Sequence, residues 1–202
     1  MRYVRGVSIR PARQTDRSAI AKICLLTGAA GEDATGHHSD ATMLSDVYAT
    51  PYLEGPGGFA LVWDDGDGAV GYVLGASDTA AFQEWFTRTW WPSVADTHRG
   101  ESSADGALRE SATNPNRMLV DVLAEYPAHL HIDLLPQAQG KGAGRALIEA
   151  ARALLSARLA TGVHLEVDPK NAGALAFYPR VGFATQALRG DDGVGAFVRK
   201  LA

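Results

Sequence analysis

Residues 129–145, His-Leu-His-Ile-Asp-Leu-Leu-Pro-Gln-Ala-Gln-Gly-Lys-Gly-Ala-Gly-Arg, constrain the fold of this chain more than any other stretch. Over 128–134 apolar and polar residues alternate: Leu130, Ile132 and Leu134 take one face of a strand, and His129, His131 and Asp133 take the other. Leu135-Pro136 breaks the period, because proline cannot donate to a ladder. The turn Gln139-Gly-Lys-Gly-Ala-Gly144 follows, with three positions that lack a Cβ and let backbone approach a ligand closely. A helix is expected from about Gly142 to Leu159, with Thr161-Gly162 as its stop. A strand that turns on glycine into a helix aims backbone N–H groups and a positive helix end at one point, and a phosphate is the natural occupant.

The flanking sequence reads as α/β. Val7 to Arg10 is a first strand, a helix starts at Thr15-Asp16-Arg17-Ser18, and residues 28–41 form a loop. A short helix runs from about Met43 to Ala49 and ends at Thr50-Pro51. Strands Phe59–Trp63 and Ala69–Ala76 flank the hairpin turn Asp64-Asp-Gly-Asp-Gly68, which lacks the twelve-residue spacing of a calcium loop. Ser77-Asp78 caps a helix carrying Phe82, Trp85, Phe86, Trp90 and Trp91. One helix face cannot bury all five, so Phe82, Trp85 and Phe86 are expected in the core and part of the remaining surface at an acceptor groove or a dimer contact. Residues 98–116 read as a long connection or lid, and Met118–Leu123 as helix or strand. A strand at Val163–Val167 and a helix at Asn171–Arg180 precede two antiparallel strands, 183–187 and 195–201, around Gly190-Asp-Asp-Gly193.

A chain of 202 residues that is 46% hydrophobic can bury one sizeable core, so a single domain over 1–202 is expected. A net charge of −4 argues against a nucleic-acid surface. No apolar run reaches the roughly 18 residues of a membrane span, and Met1–Val7 lacks a signal-peptide core. The one cysteine, Cys24, sits in an apolar helical stretch as a buried thiol, which fits a reducing cytoplasm.

Three phosphate motifs compete for the glycine turn. The dinucleotide fingerprint G-x-G-x-x-G, counted from Gly140 and Gly142, meets Arg145 where its third glycine belongs, and the P-loop pattern G-x-x-x-x-G-K-[ST] is missing. The third, Q-x-x-G-x-G, is met by Gln139, Gly142 and Gly144. It resembles the coenzyme A pyrophosphate loop of the GNAT superfamily of N-acetyltransferases. Downstream, Asn171-x-x-Ala174-x-x-Phe177-Tyr178-x-x-x-Gly182-Phe183 is similar to that superfamily's second signature. Within it, Pro127–Pro136 and the aromatic helix Phe82–Pro92 resemble bacterial proteins related to the acetyltransferase-like domain of O-GlcNAc hydrolases.

The resemblance implies a mixed, mostly antiparallel sheet of six to seven strands flanked by helices. The motif-bearing core would be 128–187, and a helical acceptor region would lie at about 78–125. The strands at 128–134 and 163–167 would be parallel neighbours that splay apart near Leu134. Free backbone groups of Leu134 and Leu135 would pair with the pantetheine arm of acetyl-CoA. The pyrophosphate would rest on Gln139, Gly140, Lys141, Gly142, Ala143 and Gly144, with Arg145 beside it and Asn171 and Phe177 on the pantetheine side. Tyr178 would stand near the thioester sulfur.

Direct acetyl transfer to an amine needs a base and an acid rather than an enzyme nucleophile. Tyr178 is the expected acid. Asp133 is the first choice of base, and Glu166 on the neighbouring strand is the second. His129, His131 and Asp133 also pose the question of a zinc triad, but residues at i, i+2 and i+4 spread over roughly 13 Å of strand. A polar wall in which His131 relays protons is the alternative, and no metal is expected. His37-His38-Ser39-Asp40 is expected either as a solvated loop or beside the acceptor. The function expected is thus an acetyl-CoA-dependent N-acetyltransferase acting on a small-molecule or peptide amine. Two other readings stay open: a catalytically weak acetyl-CoA-binding module for sensing or interaction, and a dinucleotide-dependent enzyme.

Overall fold

The computed structural model describes residues 6–186 and 196–201. Strands β1 (Ser8–Pro11), β2 (Gly58–Asp64), β3 (Ala69–Ala76), β4 (Ala128–Leu134), β5 (Gly162–Leu165), β6 (Ala184–Gln186) and β7 (Ala196–Lys200) form one sheet in the order β1-β2-β3-β4-β5-β7-β6. Every neighbouring pair is antiparallel except β4 and β5. The architecture is therefore a mixed, mostly antiparallel seven-stranded sheet with one parallel central pair, flanked by helices. The expected turn at 190–193 lies outside the described residues. Among those described, no helix is long and apolar enough to cross a membrane.

The sheet has a core on each face. Alternation along β3 sends Tyr72, Leu74 and Ala76 to one side and Val73 to the other. On the first side lie helices α1 (Arg17–Thr27), α2 (Ala41–Tyr48), α3 (Thr79–Trp85), α4 (Trp91–Val94) and α5 (Ser103–Thr113). Here Ile20, Ile23, Met43, Phe82 and Phe86 are sealed from solvent. The other side is covered by α6 (Ala143–Ala157), whose Leu147, Ile148, Ala151 and Leu155 repeat at helical spacing and are buried. Each large aliphatic side chain there contributes about 1.5–3 kcal/mol of burial. A short helix α7 (Ala172–Phe177) runs into a 3₁₀ turn, Tyr178–Val181, that ends at Gly182.

Several expectations are corrected. Residues 98–116 are not a lid, because α5 occupies most of them. Its start is a capping box in which the Ser102 hydroxyl accepts from the Asp105 N–H and the Asp105 carboxylate accepts from the Ser102 N–H. Residues 118–123 are neither helix nor strand but successive turns, closed by bonds such as Leu123 N–H to Val120 C=O. A π-helical turn at Phe86–Trp90 slips the register between α3 and α4, so Phe82, Phe86, Trp90 and Trp91 are all buried and only Trp85 is partly exposed. The surplus aromatic face is thus folded inward. Finally, β4 and β5 separate earlier than expected: pairing ends at His129–His164, so among the described residues no strand pairs with β4 on that edge from Leu130 to Leu134.

Candidate active site

Where β4 and β5 part, a cleft of about 910 Å³ opens. One wall is the glycine turn. Gly140 and Gly142 sit at φ 69° and 80°, where a side chain is strained, and a Cβ on either would face open space. Gly142 is the N-cap of α6, and the first N–H groups of a helix have no acceptor within it. The residues that carry them, Gly142 through Arg145, line the cleft. The turn therefore fits an anionic group held by backbone N–H. Gly144 packs closely on its neighbour: a Cβ there would stand 3.0 Å from the Phe177 ring, which would have to give by a few tenths of an ångström. The Arg145 guanidinium donates to the Arg180 carbonyl at 2.9 Å, tying α6 to the turn after α7.

Across from it, Lys170, Asn171, Phe177, Tyr178 and Arg180 form a second wall. Asn171 caps α7 by accepting from the Ala174 N–H at 2.9 Å. The third wall is the hairpin after α1, Ala29–Glu32, whose Gly31 abuts the Asn171 side chain.

Asp133 closes the end of the cleft on the α1 side of the sheet. Its carboxylate accepts from the Tyr72 hydroxyl at 2.6 Å. Desolvation raises its pKa, and the hydroxyls of Tyr72 and Thr27 oppose that rise without cancelling it. Tyr178 is 6% exposed, with its ring packed on Phe177, Phe183 and Phe197. Burial pushes its phenol pKa up and the Asp133 charge pushes it further, so the hydroxyl keeps its proton and senses Asp133 across the cleft.

The structure thus brings Asp133, Leu134, Gln139, Gly140, Gly142, Ala143, Gly144, Arg145, Asn171, Phe177 and Tyr178 to one cavity. Leu135, Lys141 and Glu166 are not part of its wall. Leu135 is buried, and its N–H is not free as expected but donates to the Val70 carbonyl at 3.0 Å. The Leu134 carbonyl is also engaged, accepting from the Gln139 side-chain amide at 3.0 Å. Glu166 stands exposed just past the end of β5. Thr27, the hairpin Ala29–Glu32, Lys170 and Arg180 belong to the cleft but carry no motif. Tyr72 was legible only as a polar residue within an apolar strand run.

Two polar clusters lie outside the cleft. Tyr52 bonds to Nε2 of both His129 and His131, at 2.8 and 2.9 Å. Among the described residues no group of three His, Cys, Asp or Glu could hold a metal ion. Further off, the 37–40 loop is not simply solvated. Ser39 donates to Asp105 through its N–H and hydroxyl, at 3.1 and 2.5 Å, and Asp40 holds His98 Nδ1 at 2.9 Å. Cys24 is buried, and desolvation pushes its thiol up to about 12, which leaves it protonated.

Residues 30–183 match the model of the acetyltransferase (GNAT) family, and the chain belongs to that family. A crystal structure of SsHAT is 39% identical, with 98% of this chain and 99% of that one covered at a TM-score of 0.86. The protein O-GlcNAcase of Rattus norvegicus is 23% identical over 184 residues, 87% of this chain but only 20% of that protein. The chain thus spans about a fifth of that relative's length. The structure of yncA from Salmonella typhimurium with its cofactor acetyl-CoA shares the fold at 17% identity and a TM-score of 0.56, with 98% and 95% of the two chains covered.

Proposed function

We propose that the protein is an acetyl-CoA-dependent N-acetyltransferase that passes the acetyl group directly to an amine. The observation that carries this reading is the shared cavity, which places a glycine-turn anion cradle, a desolvated carboxylate and a protonated phenol on one cleft. The pyrophosphate would lie on the 139–144 turn with Arg145, Lys170 and Arg180 nearby. The pantetheine arm would pass Asn171 and Phe177 beside the unpaired edge of β4. Asp133 would take a proton from the attacking amine, and Tyr178 would give one to the departing thiolate. A carboxylate of raised pKa is the stronger base once ionised. The binding of acetyl-CoA by yncA supports the choice of donor.

The test is turnover of acetyl-CoA with a panel of amines by wild-type protein and Tyr178→Phe. A fall in kcat of about a hundredfold or more, with acetyl-CoA affinity kept, is expected for loss of a general acid. The deep burial of Tyr178 favours a second reading, an acetyl-CoA-binding module with little catalysis. Tight binding with no turnover and indifference to Tyr178→Phe would establish that instead.

A further inference from the structure

Arg117 carries a positive charge that nothing in the cleft uses. Its guanidinium lies over two rings on the α1 side of the sheet, with Cζ 4.4 Å from the Phe86 ring centre and 5.3 Å from that of Tyr48. Nη1 donates to the Val47 carbonyl at 3.4 Å. These contacts fix the group and leave its other edge, Nε and Nη2. Both of those nitrogens are shut off from solvent, and neither has a hydrogen-bond partner. Arg10, Arg17, Arg88, Arg152 and Arg199 each meet an Asp or Glu carboxylate, whereas no carboxylate among the described residues pairs with Arg117.

A dry guanidinium edge with no partner is costly, because its N–H groups have left water and gained nothing in exchange. Nε and Nη2 are the parallel donors of the side-on fork, whose spacing matches the two oxygens of one carboxylate. The site offers a single positive charge, since burial keeps the neighbouring imidazoles of His129 and His131 neutral. One cation suits a carboxylate better than the nearly double charge of a phosphate. Its field also shows where the fork lies. After burial, Arg117 is the largest influence on His131, whose pKa falls to about 4, and it opposes the effect of burial on Tyr52, but it does not act on Asp133. The fork therefore lies on the far side of His131 from Asp133, and those two residues are about 7 Å apart along the strand face. His131 and Tyr48 are only half-buried, so solvent reaches this face of β4.

We propose that Arg117 is a specificity-determining residue of the acceptor site: its Nε–Nη2 fork takes a carboxylate carried by the acceptor, whose amine stands at Asp133. This rests on reading the cleft as an amine-acetylating site. The spacing also sets the shape of the acceptor. An α-amino acid holds its amine and carboxylate on one carbon and cannot span from Asp133 past His131. The acceptor is instead an ω-amino acid or a short peptide, with its acid end more than about 7 Å from the amine that is acetylated. Arg117 takes no part in the chemical step and does not touch the donor.

The test compares ε-aminocaproate with its uncharged amide, ε-aminocaproamide, as acceptors for the full chain. Wild type should favour the acid by about tenfold or more in kcat/KM. Arg117→Gln should erase that preference with KM for acetyl-CoA unchanged, and Arg117→Lys, which keeps the charge without the fork, should restore only part of it. The preference is a ratio within one protein sample, so partial unfolding of a variant cancels. A second measurement needs no turnover: the Arg117 ¹⁵Nε signal should shift saturably on titration with caproate, and caproamide should leave it in place. A wild type that acetylates acid and amide alike, or an acid preference that survives Arg117→Gln, overturns the proposal and makes Arg117 a strut for its turn. A caproate-responsive Arg117 in a protein that acetylates no amine removes the reading of the cleft and keeps the carboxylate site. A silent Arg117 signal with no turnover removes both.

Discussion

The two sides of the cleft are built on different principles. The glycine-turn side, which the proposed function gives to the donor, is made from backbone. Its cradle is the run from Gln139 to Arg145, its strained angles are met by glycine, and its N–H groups come from the first turn of α6. The Asp133 side, which the proposed function gives to the acceptor, is made from side chains brought together from far along the chain. Tyr72 and Asp133 are 61 residues apart, and in the polar clusters beyond the cleft wall Tyr52 and His129 are 77 apart and Ser39 and Asp105 are 66 apart. A backbone cradle needs only a short local pattern and tolerates changes elsewhere. A network of side chains needs every partner present, because each buried polar group left unpaired costs about 1–3 kcal/mol. The donor side should therefore fail through backbone strain and the acceptor side through loss of single partners.

That contrast can be broken by measurement. The largest effect is expected at Asp133, where Asn keeps the shape but cannot take a proton: kcat/KM should fall by about 10²–10⁴. The raised pKa of Asp133 gives the sign of the pH dependence. Activity should be lost as pH falls through that raised value, and the acid limb should lie above the ordinary carboxylate range of about 4. An acid limb in the ordinary range, or one that survives in Asp133→Asn, would remove Asp133 as the base.

On the donor side, Gly142→Val forces a β-branched residue into the left-handed region, which costs at least about 1–2 kcal/mol. The Kd for coenzyme A should weaken roughly tenfold by calorimetry, while the rate at saturating donor changes little. An equal loss of kcat would show that the turn also shapes the reacting centre.

Asp105→Asn tests a long-range side-chain network outside the cleft. The carboxylate accepts from Ser39 and Ser102, and these bonds hold its pKa below the usual carboxylate range. Its stabilising effect is present above about pH 4 and is lost as pH falls toward its lowered value. The variant should lower Tm at neutral pH, and the difference from wild type should shrink on acidification. The smallest effect is expected from Glu166→Gln, which should keep kcat within about twofold because Glu166 lies outside the cleft wall. A larger loss would return Glu166 as a candidate base.

The elements most legible in sequence were those with a strong local period. The alternation of 128–134 placed β4 with the bounds observed, and the glycine turn before α6 with the Thr161-Gly162 stop after it placed that helix to within two residues. Helix α5 was hidden because its sequence is polar and small, with Leu108 and Ala112 its only buried apolar positions. In the aromatic run, Phe82 and Phe86 are in the core as expected, but Trp90 and Trp91 are buried as well because a π-helical slip changes which residues share a face.

What the sequence alone determined is therefore the donor half: a strand, a glycine turn and a helix whose spacing dictates where an anion can rest. Local patterns suffice there because backbone N–H groups and left-handed angles are properties of adjacent residues. Tertiary structure alone decided the other half. It separated β4 from β5 at His129, set Tyr72 against Asp133, left Glu166 outside the cleft wall and linked Thr79, His129, Tyr52 and His131 by hydrogen bonds. Those choices depend on which distant side chains share a low-dielectric interior, where each donor must find an acceptor.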